Sequence, residues 1–439
     1  MNRLAITIWL VMALFSTATM AEDLMHIFAQ SLKSDPQLLA EAASRRAVGE
    51  LDSQAQAQFL PKIDFGANNG KVWEDTSSQS FVGGDREYNQ HGYNLSITQP
   101  VYRRQNFIQQ AQAEISIEGA QASYQIAEQA LIVRVAERYF DLLGRQDDVA
   151  FAIAEREAIA QQLEQTEQRF EVGIATITDK SESQAAYDLA NAEVISADNE
   201  LANSKERLRE TSGSYYDALD VLQVETPLVS PEPEDIEQWS AVALEQNPSL
   251  VVARTLVENA NQNIELQKSS HYPSLDVVGQ KSYSSQSDSS FGGSSKTHQD
   301  SITLQFNLPI YAGGGVQSRS REASYRLDQA MQNEEQQRRA VLRQSREAYN
   351  GVMSGISRVK ALKQAVISNQ QALESTEAGY EVGTRTTVDV LNVRRDLFRA
   401  RRDYANSRYD YILSSLRLKQ AAGTVSIDDI AQINRWLEK

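Results

Sequence analysis

The chain has 439 residues, no cysteine, and 59 acidic against 43 basic side chains, which give a formal net charge of −16 at pH 7. Such a charge does not suit nucleic acid, because neutralising phosphates requires clustered Lys and Arg. Without cysteine, neither disulfides nor cysteine-bound metals can hold the chain together. The composition therefore excludes a nucleic-acid-binding protein and a disulfide-stabilised fold.

The first 21 residues have the pattern of a secretory signal peptide. Arg3 is the only charged residue before Glu22, and residues 4–15 are apolar except for Thr7. This apolar segment is shorter than the ~20 residues that a membrane-spanning helix needs, and small residues follow it. We therefore predict an exported protein whose mature chain starts at Glu22.

The chain also contains an internal repeat, with an offset of about 210 residues. Residues 169–173 align with residues 379–383, and Asp179 aligns with Asp389. An ordered series of such pairs at nearly constant spacing predicts a tandem duplication. The first structural repeat is predicted over residues 22–230 and the second over residues 231–439.

The predicted elements follow one order in both repeats. A helix begins near Pro36 or Pro248, where the preceding Asp or Asn can cap it. A β-hairpin, a long helix, a shorter return helix and, in the second repeat, a C-terminal segment come next. The predicted ranges are 63–101 and 274–311 for the hairpins, 104–172 and 316–382 for the long helices, and 179–213 and 389–423 for the return helices.

The predicted strands alternate between apolar and polar residues, as Ile302, Leu304 and Phe306 show, and the alternation continues to Leu308 and Ile310. Polar segments over residues 73–87 and 284–297 are predicted as the hairpin loops, and Pro100 and Pro309 are expected to bend the chain near the strand ends. Tyrosines flank the strands, which is typical of a lipid-facing barrel. A water-soluble β-sandwich alternates in the same way, so the strands alone leave both possibilities open.

The predicted helices are long and periodic. At a rise of ~1.5 Å per residue, each long helix would extend roughly 100 Å. The return helix of the second repeat has a strict heptad pattern, which indicates supercoiled packing against a partner helix. An ordinary coiled-coil stalk would show the same period. The heptad residues are Val390, Leu397, Tyr404, Tyr411 and Leu418, and arginines repeat at the same spacing at 394, 401 and 408.

Four strands are too few to close a barrel, which takes about eight or more. Unpaired strand edges cannot remain in lipid. A four-stranded chain with a lipid-facing side must therefore share its barrel with copies of itself, although the sequence does not give the number of copies.

The duplicated order of helix, hairpin, long helix and return helix resembles the TolC family of outer-membrane channel-tunnels, over nearly all of the mature chain. The motifs that carry the resemblance are residues 165–173, residues 308–314 and residues 379–391, GYEVGTRTTVDVL in one-letter code. The resemblance implies an α+β membrane protein of a Gram-negative bacterium. Three chains, a homotrimer, would share an outer-membrane β-barrel with four strands per chain, surrounded by outer-membrane lipid. The barrel would continue into a long periplasmic α-helical coiled-coil barrel.

The family resemblance also implies functional residues at a closed periplasmic end. Carried over by motif, the gate would consist of Thr178, Asp179, Tyr380 and Arg385, with Asp179 accepting hydrogen bonds from the Tyr380 hydroxyl and the Arg385 guanidinium. An alternative is that Asp179 and Asp389 only cap the return helices.

An acidic ring at the narrow entrance is a second implied feature. Asp389 occupies its first position, but Asn392 stands where the family has another aspartate. We therefore expect weaker block by multivalent cations than in a relative with two aspartates. The helix-to-helix turns at Gly173 and Gly383 would contact a periplasmic adaptor, which docks together with an inner-membrane pump of the ABC, RND or MFS type.

The sequence gives little support for an enzyme. Its four histidines are scattered and match no metal-ligand spacing or nucleophile motif, so we predict no catalytic residue, metal site or cofactor; they are His26, His91, His271 and His298. The predicted function is export of drugs, small molecules or proteins through the channel. The alternative is a periplasmic coiled-coil scaffold or adaptor that forms no channel. Cargo, pump and opening trigger do not follow from the residues.

Overall fold

The structure is a computed structural model that describes residues 22–76, 84–216, 218–287 and 293–438. The predicted signal peptide lies outside these residues. The helices are α1 (Leu24–Ser34), α2 (Pro36–Ala57), α3 (Arg104–Glu171), α4 (Ile177–Ser212), α5 (Ile236–Gln246), α6 (Pro248–Lys268), α7 (Gly315–Glu381), α8 (Thr387–Ala422) and α9 (Ile427–Asn434). The strands are β1 (Lys62–Thr76), β2 (Gly84–Arg103), β3 (Val221–Leu222), β4 (Ser274–Gln286), β5 (Ser295–Asn307) and β6 (Leu437–Glu438). Among the described helices, none is both long enough and apolar enough to cross a lipid bilayer.

The chain divides into two compact units. The sheet unit contains Ala40–Ala127 and Asn247–Arg343. The helical unit contains the described residues up to Leu39, Glu128–Gln246 and the described residues from Gln344 onwards. The long helices α3 and α7, of 68 and 67 residues, contribute to both units.

The sheet unit is built on a four-stranded antiparallel sheet in the order β1-β2-β4-β5. The two hairpins, β1-β2 and β4-β5, meet where β2 pairs with β4. At this junction the register shifts between Pro100 and Tyr102, because proline cannot donate a backbone hydrogen bond to the neighbouring strand. Arg103 stabilises the junction by donating two hydrogen bonds of 2.9 Å to the Asp276 carboxylate.

The two faces of this sheet differ in polarity, since side chains alternate along each strand. Paired residues share a face, so the strand register assigns each described side chain to one of the two faces. The apolar face carries Ile63, Phe65, Leu95, Ile97, Val277, Ile302, Leu304 and Phe306. The polar face carries Asp64, Asn68, Asn94, Ser96, Gln280, Ser282, Gln299 and Ser301. Most of the large apolar side chains are exposed, with Ile302 reaching 86%.

The hairpins differ from the predicted ones at both ends. Strands β1 and β2 reach Thr76 and Gly84, so much of the predicted loop 73–87 is strand, and residues 77–83 lie outside the described chain. Likewise β4 continues to Gln286. In contrast, β5 ends at Asn307, and the prediction that the strand continues through Leu308 and Ile310 was wrong. Pro309 lacks the N–H group that a further ladder position would donate.

In the helical unit, α7 and α8 pack with a heptad period. Leu373, Val390 and Leu397 form a buried cluster, and Val366 and Tyr380 pack against it at the same seven-residue spacing. Burying one such leucine stabilises the fold by about 1.5–3 kcal/mol. The predicted stripe of α8 is therefore the side that packs against its partner helix.

Helices α1, α5 and α9 and the small β3-β6 sheet were not predicted from the sequence. Helix α1 contributes Leu24, Ile27 and Phe28, each at most 1% exposed, to the core of the helical unit. The Asp23 carboxylate caps α1 by accepting from the His26 amide and also accepts a 3.0 Å hydrogen bond from the Asn434 side chain. The two ends of the described chain are thus held together.

Candidate gate at the helix-to-helix turns

The turns from α3 to α4 and from α7 to α8, called the tip turns here, have the same backbone structure. Gly173 and Gly383 adopt φ angles of 76° and 79°. In each turn the amide of the next residue bonds to the carbonyl five positions earlier, from Ile174 to Arg169 and from Thr384 to Gly379. This Schellman arrangement requires the left-handed conformation that glycine adopts without a Cβ penalty. The predicted helix-ending role of both glycines matches this geometry.

Each return helix starts with a capping box. Thr176 and Thr386 are the N-cap residues, and their hydroxyls accept from the amides of Asp179 and Asp389. Each aspartate in turn accepts from the amide of its threonine, at 2.9 Å in both cases. The return helices therefore begin at Ile177 and Thr387, two residues before the predicted starts, because each aspartate occupies the third helical position instead of the cap.

Both capping carboxylates have lowered pKa values. Hydrogen bonds from the hydroxyl and the amide of Thr176 lower the pKa of Asp179. The amide and hydroxyl of Thr386 do the same for Asp389, with a smaller contribution from the charge of Arg385. These bonds favour the ionised form, so both carboxylates carry a negative charge at neutral pH.

Tyr380 lies at the centre of the contacts between the helices near the tip turns. Its hydroxyl accepts a 3.4 Å hydrogen bond from the Thr387 hydroxyl. The guanidinium carbon of Arg169 lies 4.7 Å from its ring centroid, within cation–π range. The same Thr387 hydroxyl also lowers the pKa of Asp179, so Thr387 lies between Asp179 and Tyr380. Thr387 is only 2% exposed.

The structure places the four predicted gate residues in this region but joins them differently from the expected pattern. Among the described residues of one chain, Asp179 makes no direct hydrogen bond with Tyr380 or Arg385. It accepts hydrogen bonds from Thr176, and the Thr387 hydroxyl makes a smaller contribution. The side chain of Arg385 lies over Gly379, where a Cβ would come within 2.8 Å of its Cγ. Thr178 is exposed at the start of α4. Among the described residues, Thr387 is the side chain that links Asp179 to Tyr380.

The two predicted ring positions lie on consecutive turns of α8. Asp389 is half-buried in its capping box, and Asn392 is exposed and accepts a 2.9 Å hydrogen bond from Arg395. Asn392 also lies at the edge of a cleft of about 590 Å³ between α3, α4 and α8. Acidic and basic side chains line this cleft, and burial raises the pKa of Glu155 there, while the nearby Arg402 opposes the rise.

Arg394 makes a second connection, which was not predicted from the sequence. Its guanidinium donates a 2.7 Å hydrogen bond to the Ala158 carbonyl on α3 and pairs with Glu377 on α7 at 2.6 Å. Arg401 and Arg408 make related contacts, to the Gln370 side chain and the Val224 carbonyl. The heptad repeat of these arginines was visible in the sequence and could have identified them as residues that contact neighbouring segments.

Comparison with known proteins decides the family. The family model described as outer membrane efflux protein matches residues 27–214 and, a second time, residues 239–424. This chain belongs to the outer membrane efflux protein family. Each match falls in one half of the chain, which confirms the predicted tandem duplication.

Individual members of the family agree with this assignment. Outer membrane protein TolC of Vibrio cholerae is 37% identical over 425 residues, which cover 96% of this chain and 95% of that protein. Outer membrane protein TolC of Escherichia coli is 34% identical over 453 residues, covering 99% and 89%. The crystal structure of the Campylobacter jejuni CmeC outer membrane channel shares the fold, with a TM-score of 0.76 at 15% identity over 95% of this chain and 90% of CmeC. The predicted TolC-family membership, fold class and outer-membrane location are confirmed.

Proposed function

We propose that three copies of this outer-membrane protein close a twelve-stranded barrel and a tunnel of helices, through which drugs, other small molecules or proteins are exported. A periplasmic adaptor and an inner-membrane pump dock at the tip turns around Gly173 and Gly383. The chain acts as a conduit, without a catalytic step of its own. Because a conduit receives its cargo from the pump, its own residues leave open the choice between drug efflux and type I protein secretion.

The observation that carries this proposal is the open sheet with one apolar face. Strands β1 and β5 each lack a partner on their outer edge among the described residues. Unpaired strand edges of this kind promote association with other strands. The side chains of Phe65, Ile302 and Leu304 are 65–86% exposed, and so large an apolar face needs a covering surface. Pairing β1 of one copy with β5 of the next satisfies the edges, and lipid covers the apolar face.

The gate of the proposed channel is the cluster around Tyr380. The Thr387–Tyr380 hydrogen bond joins α8 to α7, and Asp179 and Arg385 contribute charges of opposite sign nearby. Contacts of this kind can break when a docked partner offers competing ones. The three Asp389 carboxylates of a trimer form the acidic ring. The ring has three carboxylates instead of six, because Asn392 occupies the second position.

The test is single-channel conductance in planar bilayers, for the wild type and for Tyr380→Phe combined with Arg385→Ser. The proposal expects a small wild-type conductance that rises several-fold in this double variant. Thr387→Val, which keeps the shape but removes the bridging hydroxyl, should raise the conductance as well. The matched control is Tyr349→Phe with Arg358→Ser, two positions of α7 away from the tip, which should leave the conductance unchanged.

The outcomes separate the channel from the coiled-coil scaffold. Purified protein that inserts no channels and fractionates with the soluble periplasm would support the scaffold. Channels whose conductance is the same in all variants would support the conduit and contradict the proposed gate. A rise in the control variant equal to that of the gate variants would show a general loosening of the helices instead of a specific gate.

A further inference from the structure

The apolar face of the sheet carries an ion pair. The register pairs Leu95 with Lys281 and Lys281 with Asp300, so both charged side chains lie on the same face as Ile97 and Ile302. The Lys281 ammonium donates to the two Asp300 carboxylate oxygens at 3.1 and 3.0 Å. Charges on a lipid-contacting face cost free energy, so two charged side chains in one row of this face indicate a functional role.

Directly beside this ion pair lies a groove. It has a volume of about 380 Å³ and its apolar walls are Leu95, Ile97 and Ile302. Its floor is Gly279, where an added Cβ would meet no atom within 4 Å. Glycine is a poor strand residue, but the missing side chain at Gly279 leaves a depression across β4. The ion pair closes the groove at the end nearer the hairpin loops.

Beyond the ion pair, a row of aromatic rings crosses the same face. The rings of Tyr93 and Tyr283 stack with centroids 5.4 Å apart, and the His298 ring lies 4.8 Å from that of Tyr283. Tyrosines and histidines combine an apolar body with a polar edge, and such rings collect where lipid chains meet headgroups. The row therefore marks the level of the headgroups on this face.

A second lysine follows one row further towards the loops. Lys296 pairs in register with Ser285, is exposed, and makes no ion pair with any described residue. It lies four register positions from Lys281, about 14 Å along the strands. Two extended lysine side chains can reach towards each other over that distance. The surface between them presents two ammonium groups and one carboxylate, although the chain as a whole has a net charge of −16.

We propose that this face binds one phosphorylated lipid of the outer leaflet. An acyl chain fills the groove over Gly279, and the phosphate lies between Lys281 and Lys296, beside the tyrosine row. Charge complementarity selects a phosphate-bearing headgroup, and the apolar groove below it requires a hydrocarbon chain. The outer leaflet follows from the topology, because the strand ends at Thr76, Gly84, Gln286 and Ser295 lie at the end of the sheet opposite the helix connections. This inference rests on the proposed function, since the apolar face meets lipid only in a membrane-embedded channel.

The test uses the full-length protein purified in detergent and titrated with diphosphoryl lipid A, with the melting temperature and native mass spectrometry as readouts. Lys281→Gln combined with Asp300→Asn removes the ion pair without changing the net charge, and should weaken binding about tenfold. Lys296→Gln should have a similar effect. Gly279→Val fills the groove with a residue that suits a strand, and should also weaken binding about tenfold.

The controls make the Lys→Gln and Gly→Val changes on the opposite face of the sheet. Lys62→Gln and Gly66→Val lie on the polar face and should bind lipid A as the wild type does. Wild-type affinity in all the apolar-face variants would overturn the lipid site. Equal stabilisation by inorganic phosphate alone would also overturn it, in favour of an ion site. Normal single-channel conductance in the same variants would show that the channel function is intact, whether or not these variants bind lipid A.

Discussion

The hydroxyl of Tyr409 on α8 donates a 2.7 Å hydrogen bond to the carboxylate of Asp147 on α3. The Tyr409 ring also stacks on Phe140, with centroids 5.6 Å apart. Burial raises the pKa of Asp147, while the bond from Tyr409 and the charge of Arg408 lower it. Burial therefore raises the pKa of this half-buried carboxylate, and one tyrosine hydroxyl from another helix is the largest opposing influence.

Tyr409→Phe should destabilise the helical unit by about 2 kcal/mol, because Asp147 loses its charge-assisted hydrogen bond. The pKa of Asp147 then rises further above its unfolded value. A raised carboxyl pKa lowers stability as pH increases through the window between the unfolded and the folded pKa. The deficit in melting temperature should therefore be largest at neutral pH and shrink in acid.

Tyr404→Phe is the matched control for this prediction. Tyr404 lies on the same helix, and its hydroxyl makes no hydrogen bond with the described residues. It should leave the melting temperature nearly unchanged. A deficit in Tyr409→Phe that does not depend on pH would contradict the role assigned to Asp147.

At the tip turns, the capping carboxylates should make the stability rise with pH, which is opposite to the effect of the raised pKa of Asp147. Because the folded-state pKa values of Asp179 and Asp389 are lowered, their stabilisation is present above the unfolded pKa of about 3.9 and is lost as pH falls through the folded pKa. Asp179→Ala at neutral pH should accelerate hydrogen exchange of the amides at the start of α4 several-fold. Asp188→Ala, further along α4, is the control, and equal acceleration there would rule out a specific cap.

Asn392→Asp should strengthen block of the open channel by multivalent cations. Three further carboxylates would then face the entrance of a trimer, beside those of Asp389. Arg395, which donates to Asn392 now, would neutralise part of the added charge, so we expect a gain of about threefold to tenfold in blocking affinity. Planar-bilayer recordings with a trivalent cation measure it. An unchanged block would show that position 392 does not face the ions.

Two glycines predict opposite effects of the same substitution. Gly383 has a φ of 79°, so Gly383→Ala should cost about 1–2 kcal/mol. Gly351 lies inside α7 with open space around its Cα, so Gly351→Ala should stabilise by about 1 kcal/mol. Melting temperatures in detergent measure both changes. Destabilisation by Gly351→Ala would mean that this position packs against a neighbouring copy.

Much of the fold could be predicted from the sequence because its determinants are local and repeated. The period of two in β5, the heptads of α8 and the glycines of the tip turns each specify a conformation within a few residues. The duplication then showed each element twice. The strand ends were harder to predict, because polar residues such as Ser285 and Lys296 continue a ladder when the neighbouring strand offers partners.

The candidate gate shows the limit of local patterns more clearly. The sequence identified Asp179 and Tyr380, but it missed Thr387 between them and Arg169 over the ring, because residues from different helices meet only after the helices pack. For Arg394, the heptad repeat indicated a packed position, but its partners on α3 and α7 became visible only after the helices packed.

By itself, the sequence determined the repeat, the element order, the export of the chain and its family, since these depend on composition and on patterns that can be read along the chain. Only the tertiary structure decided which side chains meet across elements. It placed Lys281 and Asp300 in one row of the apolar face and Thr387 between Asp179 and Tyr380. The physical reason is that register and helix packing bring together residues far apart in the chain, and no periodicity within one element encodes that distance.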